Sequence, residues 1–221
     1  DLSLIKTDGD TEFIPILDDY FEFDRKLQEK LINLRSEISN SDDLKKYSKQ
    51  IQEVEKEFTI FNVKIVNQVL AEFDDEVDLI GFHGQTIFHD SKNKITKQLG
   101  DAKLFSQMIQ KIVVNNFRQK DLENGGVGAP LTPLFHKLIS KKLARENKVN
   151  FPLNIINIGG ITNVTQISNS SNSFDTLKAI DIGPGNCLID EWVRKNSEKK
   201  FDDNGNIAKS GKVNNLILNQ A

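Results

Sequence analysis

Cysteine is almost missing from this sequence. Cys187 stands alone in 221 residues, so no disulfide forms within the chain, and a reducing cytoplasm is the expected compartment. Basic charge is not in surplus either. Lys and Arg number 29 against 32 Asp and Glu, giving a net charge of −3 and a pI near 5.7. That balance argues against nucleic acid or an anionic membrane as partner. No apolar run approaches the ~20 residues of a bilayer span, and neither a membrane span nor a signal peptide is expected. The three histidines, His83, His89 and His136, do not combine with cysteine at zinc-ligand spacing, so no protein-held metal is expected. Neither a Walker-type phosphate loop nor a G-x-G-x-x-G dinucleotide element is present. Methionine occurs once, at Met108, and the chain opens at Asp1. The expectation is a sequence lacking an upstream segment, or a remnant reading frame.

What remains is ample for a folded protein. Hydrophobic residues make up 38% and charged residues 28%, a balance that supports a packed core and disfavours disorder. Leu2–Lys6 and Phe13–Leu17 read as short strands. Phe23, Leu27, Leu31, Leu34 and Ile38 recur at steps of three and four, the period of an amphipathic helix, and the polar stretch Asn40–Asp43 breaks it. Ile51, Val54, Phe58, Phe61, Ile65 and Val69 mark a second helix. Val77–Phe82 reads as a buried strand, Ala102–Ile109 as a helix, Ile112–Val114 as a strand and Leu131–Leu143 as a helix. Glu146–Asn150 is polar and divides a first domain, 1–150, from a second, 151–221. Leu153–Ile158 and Thr162–Ile167 flank Gly159-Gly160 and read as a hairpin. Lys178–Ile182 follows as a strand, with helices over Asn186–Arg194 and Ala208–Leu218. Strands interleaved with long helices predict an α/β fold with a partly parallel sheet.

Four constellations at strand ends or glycine bends hold the chemistry-bearing residues. His83-Gly84-Gln85-Thr86 offers donors and acceptors for sugar hydroxyls, or else a polar turn. Arg118 to Pro130 places Asp121 ahead of Gly125, Gly126 and Gly128. There a carboxylate either caps a turn or takes a proton from water. Arg118 has the fork to bind a substrate carboxylate. Asn157-Ile158-Gly159-Gly160-Ile161-Thr162-Asn163 is a hairpin bend whose N–H groups suit an anion, or an ordinary tight turn. Asp181-Ile182-Gly183-Pro184-Gly185-Asn186 runs into a helix start. It suits phosphate, a ribose hydroxyl or a metal-bound water, or is a rigid turn with an N-cap.

Together and in this order, these motifs resemble the anhydro-N-acetylmuramic acid kinase family. The resemblance begins at Asp1–Gly9, weakens between Asp24 and Phe73, and takes in His136 and the tail Phe201–Gly205 with Ala208, Ser210 and Gly211. It implies the actin-like, ribonuclease H-like two-domain fold of sugar kinases, with the second domain incomplete. The family's first phosphate loop and its C-terminal part lie outside these 221 residues. The implied reaction is ATP-dependent hydrolytic ring opening and O6 phosphorylation of 1,6-anhydro-N-acetylmuramic acid, giving N-acetylmuramic acid 6-phosphate in peptidoglycan recycling. The alternative is a non-catalytic remnant or partial protein of that family. By resemblance Asp121 is the general base; by their position ahead of the boundary, His83, Gln85, Thr86 and Arg118 are expected to face the sugar with it. Gly159, Gly160, Asn163, Asp181, Gly183 and Asn186 face the nucleotide. ATP and Mg²⁺ are the implied cofactors, and a homodimer is among the implied assemblies.

Overall fold

A computed structural model describes residues 1–169 and 177–220. The fold is mixed α/β. β1 (Leu2–Thr7) and β2 (Phe13–Asp19) pair as a two-stranded ribbon. By packing, the chain divides into two units. One holds residues 1–6 and 14–131, the other 7–13 and 132–221.

In the first unit the expected helical periodicities are realised. α1 (Arg25–Glu37) opens on Asp24, whose carboxylate accepts from the Leu27 N–H at 2.9 Å, and it buries Leu27, Leu31 and Leu34. The polar stretch expected only to break the helix does more. Asn40 and Asp43 form a reciprocal capping box that starts a short helix, α2 (Ser41–Lys46). α3 (Ser48–Ala71) follows after Tyr47 and buries Ile51, Val54, Phe58 and Val63 against α1.

β3 (Leu79–Phe82) pairs in parallel with β6 (Ile112–Asn115), and this is the parallel pairing that the alternation of strands and helices predicted. Between them lies a hairpin to which sequence reading gave no element: β4 (Gln85–Asp90) antiparallel to β5 (Ile95–Leu99). A bulge at Ile87 turns that side chain into the core, where it is 5% exposed. α4 (Ala102–Ile109) carries Phe105, whose ring stacks on Phe82 at 4.4 Å between centroids; Phe82 stacks in turn on Phe58 at 6.2 Å.

Two polar ties fix the β5–α4 junction to α3. The carboxylate of Glu55 accepts from Lys97 Nζ at 2.7 Å and from the Gly100 N–H at 3.1 Å. Buried Thr59 donates to the Glu55 carbonyl and accepts from the Asp101 N–H at 3.0 Å. The buried Thr59 hydroxyl is thereby satisfied, as burial requires.

In the second unit α6 (Pro133–Arg145) lies with β7 (Leu153–Ile158), β8 (Ile161–Ile167) and β9 (Leu177–Pro184), an antiparallel sheet in chain order. The expected boundary near residue 150 falls after α6, whereas packing groups α6 with the later segment. His136 Nδ1 meets Thr165 Oγ1 at 2.7 Å, Phe135 packs edge-on to Phe13, and Lys141 pairs with Asp10 at 3.0 Å. α7 (Asn186–Asn196) follows β9. The helix expected over Ala208–Leu218 is broken. Gly211 takes an extended backbone, dividing α8 (Asn206–Ser210) from α9 (Asn215–Leu218), which Asn214 caps.

Phe105 is 1% exposed and sits at the centre of the first unit's core. Phe105→Ala is expected to destabilise this unit by about 3–5 kcal/mol, a transfer loss plus a cavity. Urea denaturation followed by circular dichroism measures it.

Candidate functional site

Asp121 does not stand in a loop at a strand end, as its sequence neighbourhood suggested. β6 ends at Asn115, and Asn116 adopts a left-handed backbone, φ 61°, that turns the chain directly into α5 (Phe117–Glu123). Asn tolerates that conformation better than most residues, which makes so abrupt a strand-to-helix turn attainable. Arg118 and Asp121 are then three apart on one helix and lie on the same face.

The glycine loop after α5 folds back on Asp121. The Gly126 N–H donates to the Asp121 carbonyl at 2.9 Å, and the Gly128 N–H donates to Asp121 Oδ2 at 2.7 Å. A side chain at 126 would displace the Asp121 carboxylate, because a Cβ there would lie 2.1 Å from Oδ2. One carboxylate oxygen is thus held by a backbone N–H, and the loop is closed around the group it presents.

Arg118 reaches the same loop from the other side. Its Nη1 donates to the Gly128 carbonyl at 2.7 Å, and its Nε donates to His83 Nε2 at 2.9 Å. His83 Nε2 must therefore be the bare nitrogen. The proton is on Nδ1, which donates to the Gly84 carbonyl at 2.7 Å. Both ring nitrogens are engaged within the protein, so His83 orients Arg118 rather than offering a free ring edge. Desolvation foremost, then the Arg118 charge, lower the His83 pKa below the usual 6.5, against the opposing pull of the Gly84 carbonyl. Gln85 and Thr86 begin β4, and Thr86 Oγ1 accepts from Gln98 Nε2 at 3.2 Å.

In the second unit the nucleotide-side residues of the sequence reading share one end of the sheet. Asn157, Asn163 and Asp181 are directly opposite one another across β7, β8 and β9. A bulge at Ile182 then sets Gly183 opposite Thr162. The Oδ1 of Asn163 is buried with no hydrogen-bond partner among the described residues. Gly159 and Gly160 act through their carbonyls. Gly185 and Cys187 N–H donate to the Gly160 carbonyl, and Asn186 N–H donates to that of Gly159 at 2.7 Å. The first amides of α7, expected to be open to phosphate, are engaged by the hairpin turn. Gly185 permits this approach, since a Cβ there would sit 2.1 Å from the Gly159 oxygen.

Sequence reading missed the β4–β5 hairpin and the polar side chains it carries, Thr96 and Gln98. The signal was present: Asp90 folds a tight polar turn, accepting from the N–H groups of Lys92 and Asn93, between two runs of alternating residues. Among the described residues no group of three or more His, Cys, Asp or Glu could hold a metal ion. None of their helices is long and apolar enough to cross a membrane.

A sequence model of the family described as anhydro-N-acetylmuramic acid kinase matches residues 1–221, and the chain belongs to that family of kinases. The chain is 46% identical over 221 residues to the anhydro-N-acetylmuramic acid kinase of Pelagibacter ubique (strain HTCC1062), covering all of this chain and 57% of the relative. It is 33% identical over 223 residues to that of Rhodopseudomonas palustris (strain BisB18), covering 96% of this chain and 57% of the relative. With that of Paramagnetospirillum magneticum it shares 39% over 166 residues, 74% of this chain and 44% of the relative. The chain therefore spans little more than half the length of the curated relatives it matches.

The His83 arrangement has a pH consequence. A folded-state pKa below the unfolded value means that the neutral ring is favoured by folding. The contribution is present above pH 6.5 and lost as pH falls through the folded value. Histidine ¹⁵N NMR is expected to show the Nδ1–H tautomer at pH 7.5. In Arg118→Ala the loss of the neighbouring charge raises the His83 midpoint; a fall would contradict the arrangement.

Proposed function

We propose that this chain supplies the sugar-side half-site and part of the nucleotide-side half-site of an anhydro-N-acetylmuramic acid kinase. The observation that carries the reading is the Asp121 carboxylate. It is held through Oδ2 by the Gly128 N–H and ringed by a loop whose glycines leave it no steric competitor. The same α5 face brings Arg118 beside it.

In this reading Asp121 accepts the proton of a water molecule that attacks the anomeric carbon of 1,6-anhydro-N-acetylmuramic acid. The attack breaks the C1–O6 bridge, and the O6 so released is phosphorylated by ATP. The division of labour resembles inverting glycoside hydrolysis, in which a carboxylate likewise activates water. Arg118, fixed by His83 and the Gly128 carbonyl, binds the acid group of the sugar with its remaining N–H donors. Gln85 and Thr86 meet sugar hydroxyls. Gly159, Gly160, Asn163, Asp181, Gly183 and Asn186 form the nucleotide side. There Asn163 Oδ1 is buried with no hydrogen-bond partner among the described residues, and Asp181 stands opposite it.

Mg²⁺ bound to nucleotide phosphates keeps several waters and takes only one or two carboxylates, so the lack of a three-ligand cluster among the described residues is compatible with it. Asp181 and Asn163 would hold its hydrated shell, and the ion would neutralise phosphate charge. Peptidoglycan recycling in the cytoplasm and the actin-like architecture belong to the same reading, which uses one copy of the chain.

Exchanging these 221 residues for the matching segment of the Pelagibacter relative gives a protein of family length for the test. Asp121→Asn in that chimera is expected to lower kcat by at least about 10²-fold, the lower range for general base catalysis, with sugar binding retained by calorimetry. Turnover within a few-fold of the parent would reduce Asp121 to a loop anchor.

A further inference from the structure

His89 lies outside the half-site described above, yet it is tied to it from the far strand. It is the penultimate residue of β4, and its ring reaches across to the glycine loop 38 positions later. Nε2 lies 3.0 Å from the Val127 carbonyl. A carbonyl only accepts, so Nε2 carries a proton and donates. Nδ1 lies 3.2 Å from Thr96 Oγ1 on β5. The Thr96 hydroxyl has one proton to give, to His89 Nδ1 or to the Phe88 carbonyl at 3.2 Å, and the Nε2–H bond to Val127 does not depend on which it takes. The ring also rests against Gly128: a Cβ at that residue would lie 2.8 Å from His89 Cε1.

The hairpin holds the ring from behind. Gln98 Nε2 donates to Thr96 Oγ1 at 2.8 Å and to Thr86 Oγ1 at 3.2 Å, so one amide links the threonine behind His89 to the threonine assigned to the sugar. The polar path therefore runs Thr86, Gln98, Thr96, His89, Val127, and its next backbone N–H, that of Gly128, is the one bonded to Asp121 Oδ2. A loop rich in glycine carries a high entropic cost of ordering. A bond to a residue on a paired strand is a means of fixing it.

We infer that His89 is a positioning residue: it anchors the Val127 carbonyl so that the Gly128 N–H stays on the Asp121 carboxylate. The inference rests on the proposed role of Asp121 for its catalytic meaning, but its structural content is separately measurable.

The experiment is amide hydrogen exchange by NMR on the 221-residue chain and two variants. His89→Leu removes the donor. His89→Gln restores an N–H near the position of Nε2. In His89→Leu, Gly128 is expected to exchange about tenfold faster, the scale of one lost hydrogen bond, while the core amides of Leu99 and Phe105 keep their rates. In His89→Gln the Gly128 rate returns to within about threefold of the parent. An unchanged Gly128 rate in His89→Leu overturns the inference. So does equal acceleration of all three amides, or a failure of glutamine to rescue, because His89 would then serve general stability or act by packing alone. Retained turnover in the Asp121→Asn chimera would remove the catalytic reading and leave the exchange result standing.

Discussion

The first unit depends on where Phe82 is held. Its ring lies between those of Phe58 and Phe105, so the last residue of β3 is clamped by a long helix on one side and a short one on the other. The next residue is His83. Burial of a large aromatic at the final strand position fixes, within one residue, the point at which the chain leaves the core. His83 then orients Arg118, Arg118 meets the glycine loop, and the loop closes on Asp121. The polar cluster around Asp121 is thus the outer end of a hydrophobic stack. The Glu55 and Thr59 ties serve the same purpose from behind, since they fix the strand end at Gly100 and the helix start at Asp101 against α3.

Asp121 is held by geometry more than by charge. Its oxygen is met by a backbone N–H, and backbone donors do not titrate. The arginine beside it spends two donors on protein groups, the His83 ring and the Gly128 carbonyl. That leaves the guanidinium oriented with donors to spare, a better platform for a planar acid group than a free-swinging side chain. The second unit uses a different device. A sheet bulge and directly opposed strand residues bring Asn163 and Asp181 together without any loop.

Much of this was legible from particular residues. The three-and-four spacing of Leu27, Leu31 and Leu34, and of Ile51, Val54 and Phe58, marks helices because burial selects one face. The hairpin around Gly159-Gly160 was legible because two apolar runs flank a bend. The motif around Asp121 was legible as a place but not as a conformation. A left-handed Asn116 is a single-residue event that leaves no periodic trace, so the helix between strand and glycine loop went unseen. The β4–β5 hairpin showed only its turn at Asp90. Its strands carry Thr, Lys, Gln, His and Asp, and the polar contacts that hold them are cross-strand, which one-dimensional spacing does not display. Packing groups α6 with the later segment because it is tied there through His136, whose partner Thr165 lies 29 residues on.

The carbonyls of Gly159 and Gly160 take three N–H groups at the start of α7. The hairpin turn and the first turn of that helix are therefore one cooperative element: neither can open without stripping partners from the other. Motion at this end of the sheet is then all or none. Under the proposed function, a ligand at Asn163 or Asp181 would press on a turn whose three bonds are lost together.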